Sequence, residues 1–143
     1  MDIPLLTTGI SKHFSYKEAL WLPSWNRAAI ESDGLSQEIL DNLIILFNKM
    51  DSIRDTMGMP IIVHCAYRPP AYNTLVHGAP NSAHLHGMAC DFHVSGSTCD
   101  AVRQKILNEN LLETLEMRME DAPGTNWVHL DWAPVISNRF FKP

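Results

Sequence analysis

Residues 36–63 read SQEILDNLIILFNKMDSIRDTMGMPIIV. Within them Ile39, Leu40, Leu43, Ile44, Phe47, Met50 and Ile53 recur with the 3.6-residue period of a helix and fall on one broad face. Ser36 is a favourable N-cap, Gly58 a favourable C-terminal stop, and Pro60 just beyond it prevents continuation. The β-branched run Ile61-Ile62-Val63 follows at once and predicts a strand. A long helix that feeds a strand is therefore the centre of the fold, and the helix's charged residues are expected to form a solvated face.

Upstream, Ser15 stands three residues before Glu18 in HFSYKEAL, the arrangement of a capping box, so a short helix begins there and Pro23 limits it. The stretch from Trp21 to Gly34 has no regular pattern; Trp21, Leu22 and Trp25 are read as packing onto the core. Residues 1–35 are thus expected to be an arm packed on a single domain spanning 1–143. Downstream, RPPAYN is a breaker followed by a possible helical turn, and Gly78-Ala-Pro-Asn-Ser is turn-rich. Ala89 to Val94 predicts a second strand, Leu115 to Glu120 a third and Trp127 to Trp132 a fourth, with a helix from about Thr98 to Asn108 capped by Ser97. Strands and helices mix without a βαβ repeat. The expected class is α+β, a small and mainly antiparallel sheet with flanking helices.

Composition narrows the functions. The 143 residues are 45% hydrophobic and 19% charged, enough for a real core. The formal charge of −5 and pI near 5.7 come without any basic run, which argues against nucleic acid and anionic membrane as partners. Cys65, Cys90 and Cys99 are odd in number and lack CxxC spacing, so reduced thiols are expected. The opening MDIPLLTTGISKHF has no basic region followed by a long apolar run, and no stretch approaches the roughly 20 apolar residues of a membrane span. Cytoplasmic synthesis without a signal peptide is the expectation.

The densest chemical signal is Ser82-Ala-His84-Leu-His86-Gly87-Met-Ala-Cys-Asp91, where an imidazole and a carboxylate stand seven positions apart. A third donor has to come from elsewhere, and Trp127-Val-His129-Leu-Asp131-Trp places His129 on an alternating strand with Asp131 on the same face. Two imidazoles and one carboxylate form a catalytic type of zinc set, because three protein ligands leave the fourth tetrahedral position open. His86 and His93 are read as polar or packing residues, His64 and His77 have no evident partner, and Cys90 is expected on the core face of its strand.

The string S-x-H-x-x-G-x-A-x-D, in register at Ser82, His84, Gly87, Ala89 and Asp91, resembles the zinc peptidases of the D-Ala-D-Ala carboxypeptidase and L-alanyl-D-glutamate endopeptidase family, peptidase M15, especially small phage and bacterial members. HFSYKEAL, the long helix from Ser36, AYRPPAYNTLVHGAPNSAHLHGMACDF and WVHLDW follow the family's order along nearly the whole chain. The metal-site plan also resembles the hedgehog signalling domain. The resemblance implies that fold, a Zn2+ cofactor held by His84, Asp91 and His129, and peptidoglycan peptides as substrate. It further implies that Arg68 lies near the pocket to meet a substrate carboxylate or oxyanion, and that Ser82 either touches substrate or shapes the turn.

One departure matters. Many members carry an acid three residues before the last histidine, where this chain has Asn126. Glu120 and Asp131 are the candidates to move protons in its stead. Glu120 is favoured, because related phage sequences and the hedgehog domain carry a glutamate at the end of the equivalent strand; Asp131 reads equally as a group that orients a ligand. Glu116 is taken as an exposed strand residue. Three functions remain open at this point: a zinc carboxypeptidase or endopeptidase of the cell wall, released for lysis or carried in a phage particle; a weakly active or inactive zinc-stabilised binding or virion protein; and a zinc hydrolase of a different small amide. A monomer is favoured.

Overall fold

A computed structural model describes residues 5–143, so the first four residues of the expected arm lie outside the described part. In chain order the regular elements are α1 Tyr16–Leu20, β1 Trp21–Leu22, β2 Arg27–Ala28, α2 Gln37–Met57, β3 Ile61–Cys65, α3 Pro70–Leu75 and β4 Ala89–Val94. They continue with α4 Cys99–Asn108, α5 Leu111–Leu115, β5 Arg118–Glu120, β6 Val128–Asp131 and β7 Phe140–Phe141. This is an α+β fold. Its five-stranded sheet has the order β3-β4-β6-β5-β7 and is antiparallel except where β7 runs parallel to β5.

Helix α2 forms for the reasons its sequence gives. Ser36 Oγ accepts from the Ile39 amide at 3.3 Å, and Gly58, in the left-handed region at φ 70°, donates back to Arg54. Its buried Leu40, Leu43, Leu46, Phe47, Met50 and Ile53 share one core with Cys90, Phe92, Val94, Val128, Leu130 and Met119 from the strands. Alternation then divides the sheet. Phe92 and Leu130 enter the core while Asp91 and His129, one residue away on each strand, face the other side as Cα partners. A register irregularity between Val63 and Cys65 bends β3 beside Asp91.

Several expectations need correcting. The third strand does not begin at Leu115: that residue ends α5, Glu116 turns the chain at φ 54° as a helix cap and not as a strand residue, and pairing starts only at Arg118. The fourth strand is Val128–Asp131, shorter by one residue at each end, and the cap of α4 is Thr98, whose Oγ1 accepts from the Ala101 amide at 3.1 Å, one residue after Ser97. The irregular stretch holds the small β1-β2 hairpin; Leu22 is fully buried, and Trp25 packs edge-on against Tyr72 at 5.1 Å. Among the described residues no helix is long and apolar enough to cross a membrane.

The charged residues of α2 are not all solvated. Asp51 is 9% exposed and accepts from Ser11 Oγ at 2.9 Å and from the amides of Lys12 and His13 at 2.9 and 3.0 Å. His13 also reaches Asp55 at 2.7 Å, so one turn of α2 grips the arm. This carboxylate satisfies three donors of a segment that also buries Ile10 and Phe14 in the core, with Phe14 5.1 Å from the Phe47 ring. Asp51→Ala is expected to cost about 1–3 kcal/mol by stranding those donors, with faster hydrogen exchange at the Lys12 and His13 amides; unchanged exchange there would refute the anchor.

Candidate active site

His84 is placed by backbone. It sits in the 3-10 turn Ala83–His86, where Ser82 Oγ caps the turn by accepting from the His84 amide at 3.2 Å. Gly87 ends the turn at φ 71°, and a Cβ there would stand 2.9 Å from the Ile39 carbonyl oxygen, so the turn presses on α2 where only glycine fits. His84 Nδ1 lies 2.6 Å from the Ala66 carbonyl oxygen. A carbonyl only accepts, so Nδ1 carries the proton and Nε2 presents its lone pair. That Nε2 is buried, has no hydrogen-bond partner among the described residues, and lies 3.2 Å from Asp91 Oδ1.

Asp91 and His129 complete the cluster from adjacent strands. Asp91 Oδ1 is 2.9 Å from His129 Nδ1, and one donor atom from each of His84, Asp91 and His129 lies within 4.8 Å of the others. The other nitrogen of His129 meets Asp131 Oδ2 at 2.7 Å. Asp131 is fully buried; Arg118 donates Nε to its Oδ1 at 2.7 Å and Nη2 to its Oδ2 at 3.0 Å, and the Ala133 amide adds a bond at 3.1 Å. Arg118 in turn lies 4.3 Å over the Phe141 ring. A carboxylate thus backs the histidine that faces the cluster, an arrangement that fixes ring orientation at metal sites.

Protonation bears out how much positive charge the cluster wants. Burial disfavours charge on His129, but hydrogen bonds to Asp131 and Asp91 outweigh it and raise its pKa to about 9. Burial also opposes ionisation of Asp91, yet His84 and His129 hold its carboxyl far below the usual range. His84 goes the other way, since burial lowers its pKa and the pull of Asp91 only partly offsets that. A proton on His129 therefore fills the place that a cation would take. An orphaned buried imidazole nitrogen and a two-histidine, one-carboxylate donor set suit zinc.

The cluster opens on a cleft of about 320 Å³ lined by Arg68, His77, Ser82, Glu120 and Trp127 together with the three candidate ligands. Arg68 Nη1 donates to Asn73 Oδ1 at 3.0 Å, while its Nη2 is 3.6 Å from Asp91 Oδ2. Glu120, at the end of β5, also borders a second space of about 280 Å³ with Ser82, His129 and Phe141. Asn126 is elsewhere: it lines a neighbouring cleft with His64 and His93, which are partners at 2.6 Å. His86 contributes its carbonyl to Asn42 Nδ2 at 2.9 Å. Cys90 is on the core side, fully buried.

Arg118, Asn73, His77 and Trp127 had not been singled out for the site. Arg118 precedes Glu120 by two on an alternating strand, so its face was readable, but its pairing with Asp131 appears only when β5 and β6 are in register.

A family model described as Peptidase M15 matches residues 12–131 of the chain. No curated protein matches it. The chain belongs to the peptidase M15 family, and membership implies peptidase activity.

Two outcomes follow from the charges. The folded pKa of His129 lies above its ordinary 6.5, so its protonated form stabilises the metal-free protein fully below pH 6.5, and this contribution is lost as pH rises through about 9. The melting temperature of metal-free protein is expected to fall across that window, whereas zinc, which competes with this proton, binds more tightly there. A flat melting profile for the metal-free protein would contradict the assignment. Asp131→Asn, which weakens the support of His129, is expected to lower zinc affinity roughly 10- to 100-fold, read by competition with a chelating dye.

Proposed function

We propose that the protein is a zinc-dependent peptidase that hydrolyses a bond beside a D-amino acid in the stem peptides or cross-links of peptidoglycan. The observation that carries this reading is the convergence of His84, Asp91 and His129 at the floor of a cleft whose wall includes Glu120. When bound there, zinc polarises a scissile carbonyl and brings the pKa of water towards neutrality. Glu120 takes the proton of the attacking water and hands it to the departing amine. Arg68 offers its guanidinium to the substrate carboxylate or to the oxyanion that develops, and Ser82 shapes the turn beneath His84.

Asp131 is a poor proton carrier by comparison. Both its oxygens are taken up by Arg118, His129 and the Ala133 amide, and its role in this reading is to hold His129 in one tautomer and orientation. Asn126 does not count against hydrolysis, since it borders the neighbouring cleft with His64 and His93. Cell wall as substrate draws on family membership together with the likeness of the segment around Arg68 and Ser82 to cell-wall peptidases. The cleft and the second space share Ser82, Glu120 and His129 in their linings, and we read that continuity as favouring a cut within a peptide over removal of a terminal residue. Lysis associated with a phage, or action from a phage particle, is the setting we favour.

Incubation of the zinc-loaded protein with purified peptidoglycan, followed by mass spectrometry of the released fragments, reports both activity and bond. Glu120→Gln is expected to reduce turnover by roughly 10²- to 10⁴-fold with zinc content unchanged. Absence of any fragment from the unaltered protein would defeat the peptidase reading and favour a zinc-stabilised binding or virion protein; equal turnover by the variant would defeat the assignment of Glu120.

A further inference from the structure

Among the described residues, one side chain hydrogen-bonds the guanidinium of Arg68, and the same residue also bonds the wall of the cleft. Asn73, at the middle of α3, is only 5% exposed. Its Oδ1 accepts from Arg68 Nη1 at 3.0 Å and its Nδ2 donates to the Ala79 carbonyl at 3.0 Å. Its backbone oxygen accepts from the Gly78 amide at 2.8 Å, and its own amide donates to Pro69 at 2.9 Å. The arginine on one side and the segment His77-Gly78-Ala79 on the other are thereby tied through a single amide group.

Gly78 shows how close the tie is. A Cβ on that residue would lie 2.0 Å from Asn73 Oδ1 and 2.5 Å from Arg68 Nη1, distances at which atoms must move apart. The contact between amide and guanidinium is therefore covered by bare backbone, where any side chain would displace it. Its chemistry is also selective. A carboxylate at position 73 would grip the guanidinium more strongly but cancel its charge, whereas a neutral amide fixes the fork and leaves the positive charge for an anionic ligand. Among the described residues the carboxylate within ion-pair reach of Arg68 is Asp91, 3.6 Å away, which shares its charge with His84 and His129.

We propose that Asn73 is the positioning residue for Arg68, and that Asn73, Gly78 and Arg68 form one unit that sets substrate affinity. The unit fixes the guanidinium and the 77–79 wall in a single arrangement before substrate arrives. This rests on the reading that Arg68 meets the substrate's anionic group. Preorganisation of this kind lowers the ordering cost of binding, so its loss weakens capture of the ligand more than turnover.

The experiment is a double-mutant cycle on peptide hydrolysis with Asn73→Ala, Arg68→Ala and both together, zinc content and melting temperature being measured on each. Asn73→Ala is expected to raise KM about tenfold, the scale of a lost hydrogen bond to a charged group, and to change kcat by no more than about twofold. In the Arg68→Ala background the same change is expected to have almost no further effect, because its partner is gone. Gly78→Ser, which pushes on the contact and keeps Asn73, is expected to reproduce the rise in KM and to be equally silent without Arg68. Additive effects of Asn73→Ala and Arg68→Ala would overturn the proposal and leave Asn73 as a support of the loop alone.

An NMR readout is independent of hydrolysis. The side-chain Nε–H signal of Arg68 is expected to be distinct and ordered in the unaltered zinc-loaded protein and averaged in Asn73→Ala. An unchanged signal would also overturn the hold. If the unaltered protein cleaves no peptide, the peptidase reading falls, while this signal still decides whether Asn73 fixes Arg68.

Discussion

Asp131 has no contact with solvent, and the whole candidate metal site depends on its being satisfied. An ionised carboxylate taken from water costs several kcal/mol unless nearby donors compensate it. Here Arg118 supplies two hydrogen bonds, the Ala133 amide a third and His129 a fourth. The three side chains come from two strands, with Arg118 and Asp131 as Cα partners. A slip of one residue between β5 and β6 would send Arg118 to the opposite face and leave the carboxylate buried without its cation. The register of the sheet and the direction of the His129 ring are therefore one constraint.

The second histidine is governed differently. His84 is oriented by the Ala66 carbonyl, the Ser82 cap and the Gly87 turn, all of them features of the local chain path. One face of the cluster is thus set by the main chain and the other by a buried ionic network. The main-chain half needs no charge balance, while the ionic half keeps a proton on His129 until something more positive displaces it.

How much of this could be read in one dimension varied with the range of the interaction. Helix α2 and strand β4 were legible because their burial is periodic, and His84, Asp91 and His129 stood out because donor types and spacing suffice to mark them. Helix α5 was lost because five residues are too few to display a period, and the strand expected over Leu115 to Glu120 absorbed its end. Strand β7 has two residues and a parallel partner, so nothing in Phe140-Phe141 announces it. Asp51 looked like any surface acid of an amphipathic helix; its partner Ser11 lies 40 residues away, and only the folded chain joins them. Arg118 was missed for the same reason, since its significance lies across the sheet.

Strand β7 bears on when this protein becomes competent during synthesis. Phe141 covers the guanidinium of Arg118 and stands perpendicular to the His129 ring with 6.0 Å between ring centres, and the amides of Met119 in β5 and of Asp121 just beyond it donate to the carbonyls of Arg139 and Phe141. Helix α2 and strands β3 and β4 leave the ribosome far earlier and have local contacts with which to begin. The contacts that cover Arg118 wait for residues 139–141 to emerge. A nascent chain can thus begin to gather its apolar core around α2, β3 and β4 while the candidate site is still incomplete.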